Sequence, residues 1–238
     1  MLKPGTYGSS DNLQPVLAEL ANKAREQNTS FELPAGQFLC NGPIDLAFTE
    51  LRGAGVDNGN STTLICDVDS DLIVANNTLA RGLDFRVTHN GRYGCAIALY
   101  RGDAHHFERV AVNGENGASV DPLVEFYGSN IRLDNLAITN RRSGQAYSLR
   151  ALCSEATGIN IDNVISGLYM GGTGRGIFVG SSDGTQRPEG LHLIAPQSVV
   201  TGGPAIVVDA ILQLAIVAGE SLQLFAGSAG ECLIRASR

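Results

Sequence analysis

Two stretches of the chain, Ile131-Arg-Leu-Asp-Asn-Leu-Ala-Ile138 and Ile159-Asn-Ile-Asp-Asn-Val-Ile165, share one pattern of apolar residues around Asp-Asn. The pattern recurs down the chain, and the apolar residue at the position after Asp-Asn serves as its marker. The intervals between successive markers are 27, 26, 28, 35 and 23 residues, for the series Leu83, Val110, Leu136, Val164, Val199 and Leu222. A repeat of this length is typical of a solenoid.

Each repeat consists of short apolar runs separated by Gly, Asn and Ser, as in Ala96-Ile-Ala-Leu99, Leu123-Val-Glu-Phe126 and Ala205-Ile-Val-Val208. Such runs indicate short strands joined by turns, with no room for a helix inside the repeat. One coil cannot bury its apolar face alone, but stacked coils pair each strand with the strands above and below it. The sequence therefore predicts an all-β fold, a parallel β-helix.

Composition limits the partners that we expect. The net charge is −7 and the basic residues are scattered, which argues against nucleic acid binding. No apolar stretch approaches the roughly 20 residues of a membrane span, so we expect no membrane insertion. Five cysteines, an odd number without metal-binding spacing, are expected to be reduced, buried and structural, as in a protein that folds in a cytoplasm. No cofactor or metal is expected.

The N-terminal region predicts one helix. Asp11-Asn12 can cap it, and it should end near Gln27-Asn28. An amphipathic helix here would cover the open apolar end of the stack. We therefore expect a lead and capping helix in residues 1–30 and a solenoid of about seven coils in residues 31–238. The apolar positions that fall on one face of this helix are Leu13, Val16, Leu17, Leu20 and Ala24.

The opening of the chain resembles a known family. The helix followed by Leu33-Pro-Ala-Gly36, then Gly42-Pro-Ile-Asp-Leu46 and Leu51-Arg-Gly-Ala-Gly55, is similar to the start of pectate-lyase-like, right-handed parallel β-helix proteins, which include phage tailspikes. The resemblance implies a right-handed β-helix that associates as a homotrimer. It does not settle an activity, because the family includes polysaccharide lyases, glycoside hydrolases, epimerases and non-catalytic virion spikes.

Acidic residues recur two positions before the marker, where the column reads Arg81, Glu108, Asp134, Asp162, Gln197 and Glu220. Equivalent positions of successive coils stack about 4.8 Å apart. Three stacked carboxylates would repel one another unless solvent, a cation or a shared proton intervened. The column predicts candidate catalytic carboxylates at Glu108, Asp134 and Asp162, with Glu125 as a further candidate. The alternative is a solvated ladder of turn residues.

Aromatic residues suggest a binding surface elsewhere. Tyr100 and Tyr127 end equivalent strands 27 residues apart, and Glu125 should share a face with Tyr127. Sugar rings pack on aromatic faces while carboxylates accept hydroxyl hydrogen bonds, so these residues are candidate substrate contacts. Tyr169 and Arg175 join them because they lie near a polar insertion at residues 180–190. The alternative is that the tyrosines stack for stability only.

Three smaller motifs are expected to be structural. Asn135 and Asn163 should align as a hydrogen-bonded pair. The segment Asp103-Ala-His-His-Phe-Glu108 is expected to form a polar turn, and the glycine-rich run of residues 171–176 another turn.

The first functional hypothesis is a tailspike-like protein of a phage or virion-like particle, folded in the host cytoplasm, that binds a bacterial surface polysaccharide. Depolymerisation of this polysaccharide, by a hydrolase or a lyase reaction, is left open within this hypothesis. The alternative is a non-catalytic structural or receptor-binding spike module.

Overall fold

The computed structural model describes residues 11–55, 61–67, 72–74, 79–87, 97–99, 105–114, 122–141, 146–153, 162–181, 188–209, 211, 213–217, 223–224 and 234–236. Within these residues, one helix, α1 (Gln14–Glu26), is followed by strands. The strands are β1 (Ser30–Glu32), β2 (Gly36–Leu39), β3 (Ile44–Asp45), β4 (Glu50–Arg52), β5 (Thr62–Cys66), β6 (Ile73–Val74), β7 (Leu79–Val87), β8 (Ile97–Leu99), β9 (His106–Gly114), β10 (Val124–Phe126), β11 (Arg132–Asn140), β12 (Tyr147–Cys153), β13 (Asn163–Ser166), β14 (Tyr169–Gly172), β15 (Arg175–Ser181), β16 (Leu191–Ile194), β17 (Gln197–Val200), β18 (Ile206–Val208), β19 (Leu214–Val217), β20 (Gln223–Leu224) and β21 (Ile234–Ala236).

The helix confirms the predicted N-terminal element. The N-cap residue is Leu13, which makes no side-chain cap hydrogen bond, so the predicted capping by Asp11-Asn12 is wrong. The Asn12 side chain instead accepts hydrogen bonds from the backbone N–H of Gln14 (3.1 Å) and of Asn41 (2.8 Å), which tie the start of the helix to the first coil. Leu17, Ala21 and Ala24 are buried, and α1 packs against β1 and β3. The helix therefore covers apolar surface at the start of the stack.

The strands form a parallel β-solenoid, as predicted. One sheet has 13 strands, and its main path runs β1-β4-β7-β9-β11-β13-β16-β19. A second sheet has eight strands in the order β21-β18-β15-β12-β10-β8-β6-β3. Neighbouring strands of this sheet therefore belong to adjacent coils. Every pairing among the described strands is parallel. Parallel stacking is what sets residues from successive coils side by side.

The core is built of apolar columns that run through the stack. On the 13-stranded sheet, Phe107, Leu133, Ile165 and Leu193 occupy matching positions of four coils and are all almost completely buried. On the eight-stranded sheet, Val124, Leu149, Ile177 and Ile206 form a second buried column. Neighbouring strands lie about 4.8 Å apart, so each residue of a column contacts the next.

The 13-stranded sheet bends where one residue per coil has a positive φ. Arg109, Asn135, Gly167 and Ala195 have φ of 54°, 54°, 61° and 48°, and the strand pairings on either side align them. A residue in the left-handed conformation turns the chain sharply, and the pairing with the neighbouring strand is interrupted at that residue alone. The residues before and after the bend therefore belong to two differently oriented walls of the solenoid.

The register corrects two predicted alignments. Val164 pairs with Arg132 and not with Leu136, so this coil is four residues longer than the marker spacing implies. The predicted register would have set Ser166 beside the buried Ile138, whereas the observed one sets Met170 there. Burial of apolar surface therefore decides the register. As a consequence Asn163 does not align with Asn135, and Asp162 does not align with Asp134.

Candidate functional site

A groove lies on the outer face of the eight-stranded sheet, across β10, β12 and β15. Its volume is about 290 Å³. The neighbouring strand positions, such as Val124, Leu149 and Ile177, are buried in the core, so alternation turns the residues after them outward. Glu125, Arg150 and Phe178 occupy matching positions of three successive coils. The groove is lined by Glu125, Tyr127, Tyr147, Arg150, Leu152, Phe178 and Ser181.

Tyr147 is the centre of the groove's aromatic and cationic side chains. Its ring is tilted by 57° against that of Phe178, with 5.4 Å between the ring centroids. The guanidinium carbons of Arg150 and Arg175 lie 5.3 and 5.4 Å from the Tyr147 centroid, within cation–π range. Arg175 Nη1 also donates a hydrogen bond of 3.3 Å to the Tyr147 hydroxyl. These contacts fix the ring at one edge of the groove.

This arrangement suits a ligand with both apolar faces and hydroxyl groups. Tyrosine and phenylalanine rings offer packing surfaces for the C–H faces of sugars, and charged side chains beside them supply hydrogen bonds. Glu125 is only 8% exposed, so its carboxylate is reached only from within the groove. Among the groove's described lining residues Glu125 is the one carboxylate. The groove therefore has the features of a binding site, and its described lining residues do not include the carboxylate pair of a hydrolase.

The predicted acid column is partly confirmed by the register of the 13-stranded sheet. Glu108 and Asp134 occupy matching positions of β9 and β11, and the position before them is Arg81 of β7. The next position is Ser166, followed by Ile194 and Val217. The prediction for Asp162 is wrong: this residue aligns with Asn130 at an exposed turn, and both have left-handed backbone, with φ of 54° and 57°.

Asp134 is held by two side chains that the acid column did not include. His106 Nε2 lies 2.8 Å from Asp134 Oδ2, and Ser166 Oγ donates a hydrogen bond of 2.5 Å to Asp134 Oδ1. The serine hydroxyl donates to the carboxylate and not to the histidine, so this cluster does not have the geometry of a nucleophilic Ser-His-Asp triad. The cluster is therefore a carboxylate held in position by an imidazole and a hydroxyl group.

His106 shows why the segment before Glu108 was misread. The structure places it as the first residue of β9, where the sequence predicted a polar turn. The signal was present in the spacing, because His106 and Glu108 are two residues apart and strand residues with that spacing share a face. The same rule connects His106 with Asp134, whose partner in β9 is Glu108.

The remaining predicted site residues are spread over the surface. Tyr169 lies on the 13-stranded sheet, 41% exposed and away from the groove. Tyr100 and residues 182–187 of the insertion lie outside the described residues. Glu125 and Tyr127 both line the groove, as the sequence suggested, and Arg175 lies beside it. Sequence reasoning missed Tyr147, Arg150 and Phe178. The signal for Arg150 and Phe178 is that each lies between two apolar residues that are buried in the core.

A larger depression of about 380 Å³ lies between α1 and β1. Its described lining residues include a single aromatic one, Phe31, which is mostly buried, and its Lys23 is paired with Glu19. These lining residues do not offer the ring surfaces that distinguish the groove. Within the described ranges no three His, Cys, Asp or Glu residues form a cluster suited to a metal ion. The described part of the chain also contains no helix with the length and apolar character that a membrane crossing requires.

Comparison with known proteins yielded a distant structural likeness. No protein-family model matches the chain, and no curated protein matches it. Among solved structures, the catalytic domain of a GH87 alpha-1,3-glucanase in complex with tetrasaccharides is similar, with a TM-score of 0.47 and 14% sequence identity. The match covers 99% of this chain and 46% of that one, so the chain spans less than half of the glucanase structure's length. A likeness this distant assigns no activity to the chain.

Proposed function

We propose that this protein binds a bacterial surface polysaccharide through the groove on the eight-stranded sheet, as a spike of the phage tailspike type. The observation that carries the proposal is the set of three rings, Tyr127, Tyr147 and Phe178, around a groove that also holds Glu125 and Arg150. The β-solenoid with its N-terminal helix and the resemblance of residues 11–55 support the tailspike type. The proposal includes assembly as a homotrimer and a location on a virion or phage-like particle.

The size of the groove sets the length of polymer that it engages. Ligand pockets typically measure about 300–1,000 Å³, and this groove lies at the lower end of that range with about 290 Å³. We therefore expect it to hold a short segment of the chain, with neighbouring sugars extending over the outer surface of the sheet. Light scattering in solution should give about three chain masses, and a monomer would reject the trimer.

The binding experiment compares two tyrosines that differ in place. Immobilised capsule, O-antigen and exopolysaccharide preparations are tested against the wild type, Tyr127→Ala and Tyr169→Ala. Loss of one ring contact should weaken binding about tenfold for Tyr127→Ala. Tyr169→Ala is the matched control, because Tyr169 is exposed on the other sheet. Binding that depends on Tyr169 and not on Tyr127 would show that the groove is not the site.

A second function, depolymerisation, is favoured by one specific observation. Glu108 and Asp134 lie side by side, about 4.8 Å apart at the strand backbone, and Asp134 is oriented by His106 and Ser166. Retaining glycosidases hold their two carboxyls about 5–5.5 Å apart. In this function one residue would act as general acid and the other as nucleophile, with retention of anomeric configuration.

A reducing-end assay on the same polysaccharides tests depolymerisation. If the pair is catalytic, Glu108→Gln and Asp134→Asn should each lower the release of reducing ends by at least about 100-fold. Both changes keep the size of the side chain, and both positions lie on the outer face of the sheet, so the melting temperature should stay close to that of the wild type. Release that is unchanged in both variants would remove these residues from the chemistry. Binding without any release would leave the non-catalytic spike.

A further inference from the structure

We propose that Cys40 and Cys66 form a disulfide bond when the protein is exposed to oxidising conditions, and that this bond links the first coil of the solenoid to the second. Both side chains are thiols in the structure. The inference goes beyond polysaccharide binding and does not depend on it, because it concerns the N-terminal end of the stack.

The register of β2 and β5 places the two cysteines side by side. Leu39 pairs with Ile65, and the Cys40 N–H donates a hydrogen bond of 2.7 Å to the Ile65 carbonyl. One residue after the cysteines, the Asn41 side chain accepts a hydrogen bond of 3.0 Å from the Asp67 N–H, so the two segments stay aligned past them. Neighbouring strands lie about 4.8 Å apart, and disulfides join Cα atoms about 4.4–6.8 Å apart. The backbone spacing therefore fits a disulfide.

Both thiols lie in the core. Cys40 and Cys66 are completely buried, so their side chains extend to the same side of the sheet. Burial and, to a smaller extent, Cys66 raise the pKa of the Cys40 thiol, and the effect of Cys66 requires that the two sulfur atoms lie near each other. Cys40 Sγ also donates a hydrogen bond of 3.5 Å to the Gly42 carbonyl, two residues further along its own chain segment. The two sulfur atoms are therefore neighbours across adjacent coils.

The first coil is the place where such a bond has most effect. Among the described strands β2 pairs with β5 alone, whereas β5 pairs with both β2 and β7. Each coil of a solenoid is stabilised by its neighbours, so a coil at the end opens more easily than a central one. In the unfolded chain the bond would close a loop of about 26 residues, and such a constraint favours the folded state. The disulfide would therefore stabilise the end of the stack that α1 covers.

Thiol–disulfide exchange with a small-molecule disulfide, here glutathione disulfide, supplies the oxidation. The thiolate of one cysteine attacks a sulfur of glutathione disulfide, breaks its S–S bond and releases one glutathione thiolate. The thiolate of the other cysteine then attacks the protein sulfur of this mixed disulfide and releases the second glutathione. The two cysteines lose two electrons to glutathione disulfide, and their two protons end on the released thiolates.

Burial controls the rate of this exchange. A buried thiol with a raised pKa holds little thiolate and is not accessible to glutathione disulfide, so the first attack requires opening of the first coil. We therefore expect slow oxidation of the folded protein and faster oxidation at urea concentrations below the unfolding midpoint.

The experiment oxidises the full chain, purified in dithiothreitol and then freed of it, with glutathione disulfide at pH 8. Mass spectrometry of peptides prepared without reduction should find the Cys40 peptide linked to the Cys66 peptide, and dithiothreitol should reverse the link. The melting temperature of the oxidised protein should exceed that of the reduced protein by about 6–12 °C, as expected for a loop of this length in a chain of this size.

Variants assign the bond. Cys66→Ala removes the pair, so both the linked peptide and the increase in melting temperature should be lost. Cys153→Ala is the matched control, because it removes another of the five cysteines and keeps the pair. It should respond to oxidation as the wild type does. If Cys66→Ala fails to fold, Cys40→Ala tests the same pair from the other coil, and the peptide map of the wild type tests the bond without any variant.

Three outcomes would overturn the inference. Cys40 or Cys66 linked only to glutathione or to another cysteine would reject the pair. The linked pair without an increase in melting temperature would reject the stabilisation of the first coil. Two thiols that stay reduced at every urea concentration below the unfolding midpoint would reject the oxidation itself. The binding of polysaccharide is tested separately with Tyr127→Ala, so a failure of either proposal leaves the other standing.

Discussion

Replacing Asn163 by aspartate should make the stability of the protein depend on pH in a defined direction. Asn163 is completely buried, its Oδ1 accepts a hydrogen bond from the Ile131 N–H (2.8 Å), and its Nδ2 donates one to the Gly128 carbonyl (3.0 Å). It thereby connects the start of β13 to the turn that precedes β11. An ionised aspartate keeps the acceptor but loses the donor, and it sets a negative charge against a carbonyl oxygen.

The loss in free energy of unfolding caused by Asn163→Asp follows from the groups that are left without hydrogen bonds. An unsatisfied buried carbonyl costs about 1–3 kcal/mol, and an uncompensated buried charge brings the total to about 3–5 kcal/mol. Protonation restores the donor, because a carboxylic acid offers one donor and one acceptor like the amide it replaces. Burial therefore raises the pKa of the introduced carboxyl in the folded state above its unfolded value of about 3.9.

The direction in which the stability of Asn163→Asp changes with pH follows from the linkage between proton binding and folding. The folded variant binds a proton that the unfolded chain has released, so the free energy of unfolding is fully retained below about pH 3.9 and falls as pH rises through the raised folded pKa. Asn163→Leu removes both hydrogen bonds at every pH, so its destabilisation should not depend on pH.

Urea unfolding from pH 4 to pH 8 measures the free energy of unfolding of Asn163→Asp, with the wild type and Asn28→Asp as references. Asn28 is exposed with φ of 49°, a conformation that aspartate tolerates, so Asn28→Asp should change stability by no more than about 0.5 kcal/mol. The deficit of Asn163→Asp relative to the wild type should shrink on acidification. Full stability of this variant at pH 7, or a deficit that is the same at both ends of the range, would refute the reasoning.

Two further predictions concern the core. Burial, with a contribution from Cys66, raises the pKa of the Cys40 thiol to about 12. Iodoacetamide at pH 8 should therefore leave Cys40 unmodified in the folded protein and modify it once urea unfolds the chain, which peptide mass spectrometry measures. Fast modification of Cys40 without urea would contradict its burial. A Cβ added at Gly176 would collide with the backbone carbonyl of Ala205 in the next coil, so Gly176→Ala should lower the melting temperature by several degrees. Gly171→Ala is the matched control, because the nearest neighbours of its added Cβ are atoms of the exposed Tyr169 side chain, which can move. Calorimetry should therefore show a smaller decrease for Gly171→Ala. Equal melting temperatures would show that the coils separate easily at Gly176.

The sequence predicted the elements of this fold well because each depends on local patterning. The apolar side of α1 and the alternation in β9 and β11 can be read from a few neighbouring residues. The alignment of Glu108 with Asp134 was also correct, because the coil between them has the regular length of 26 residues. The same counting failed for Asp162, since the following coil has 32 residues between paired positions.

The candidate site was harder to predict because its members come from three coils. Glu125 and Tyr127 were recognised, since Glu125 lies in β10 and Tyr127 follows the end of that strand, two residues further on. Tyr147 and Phe178 line the groove only because the observed register places β12 and β15 in line with β10. Likewise, nothing local to Ser166 indicates that its hydroxyl binds Asp134, 32 residues earlier.

The sequence by itself determined that this chain is a β-solenoid with an N-terminal helix, because the period of its apolar residues dictates what each segment can bury. Only the tertiary structure decided which polar side chains become neighbours. The lengths of the turns vary from coil to coil, and the register is chosen by the fit of inward residues such as Ile165 and Met170 into the core columns. The outward residues follow that choice, so the groove with Arg150 and Arg175 around Tyr147, and the cluster around Asp134, are consequences of how the core packs.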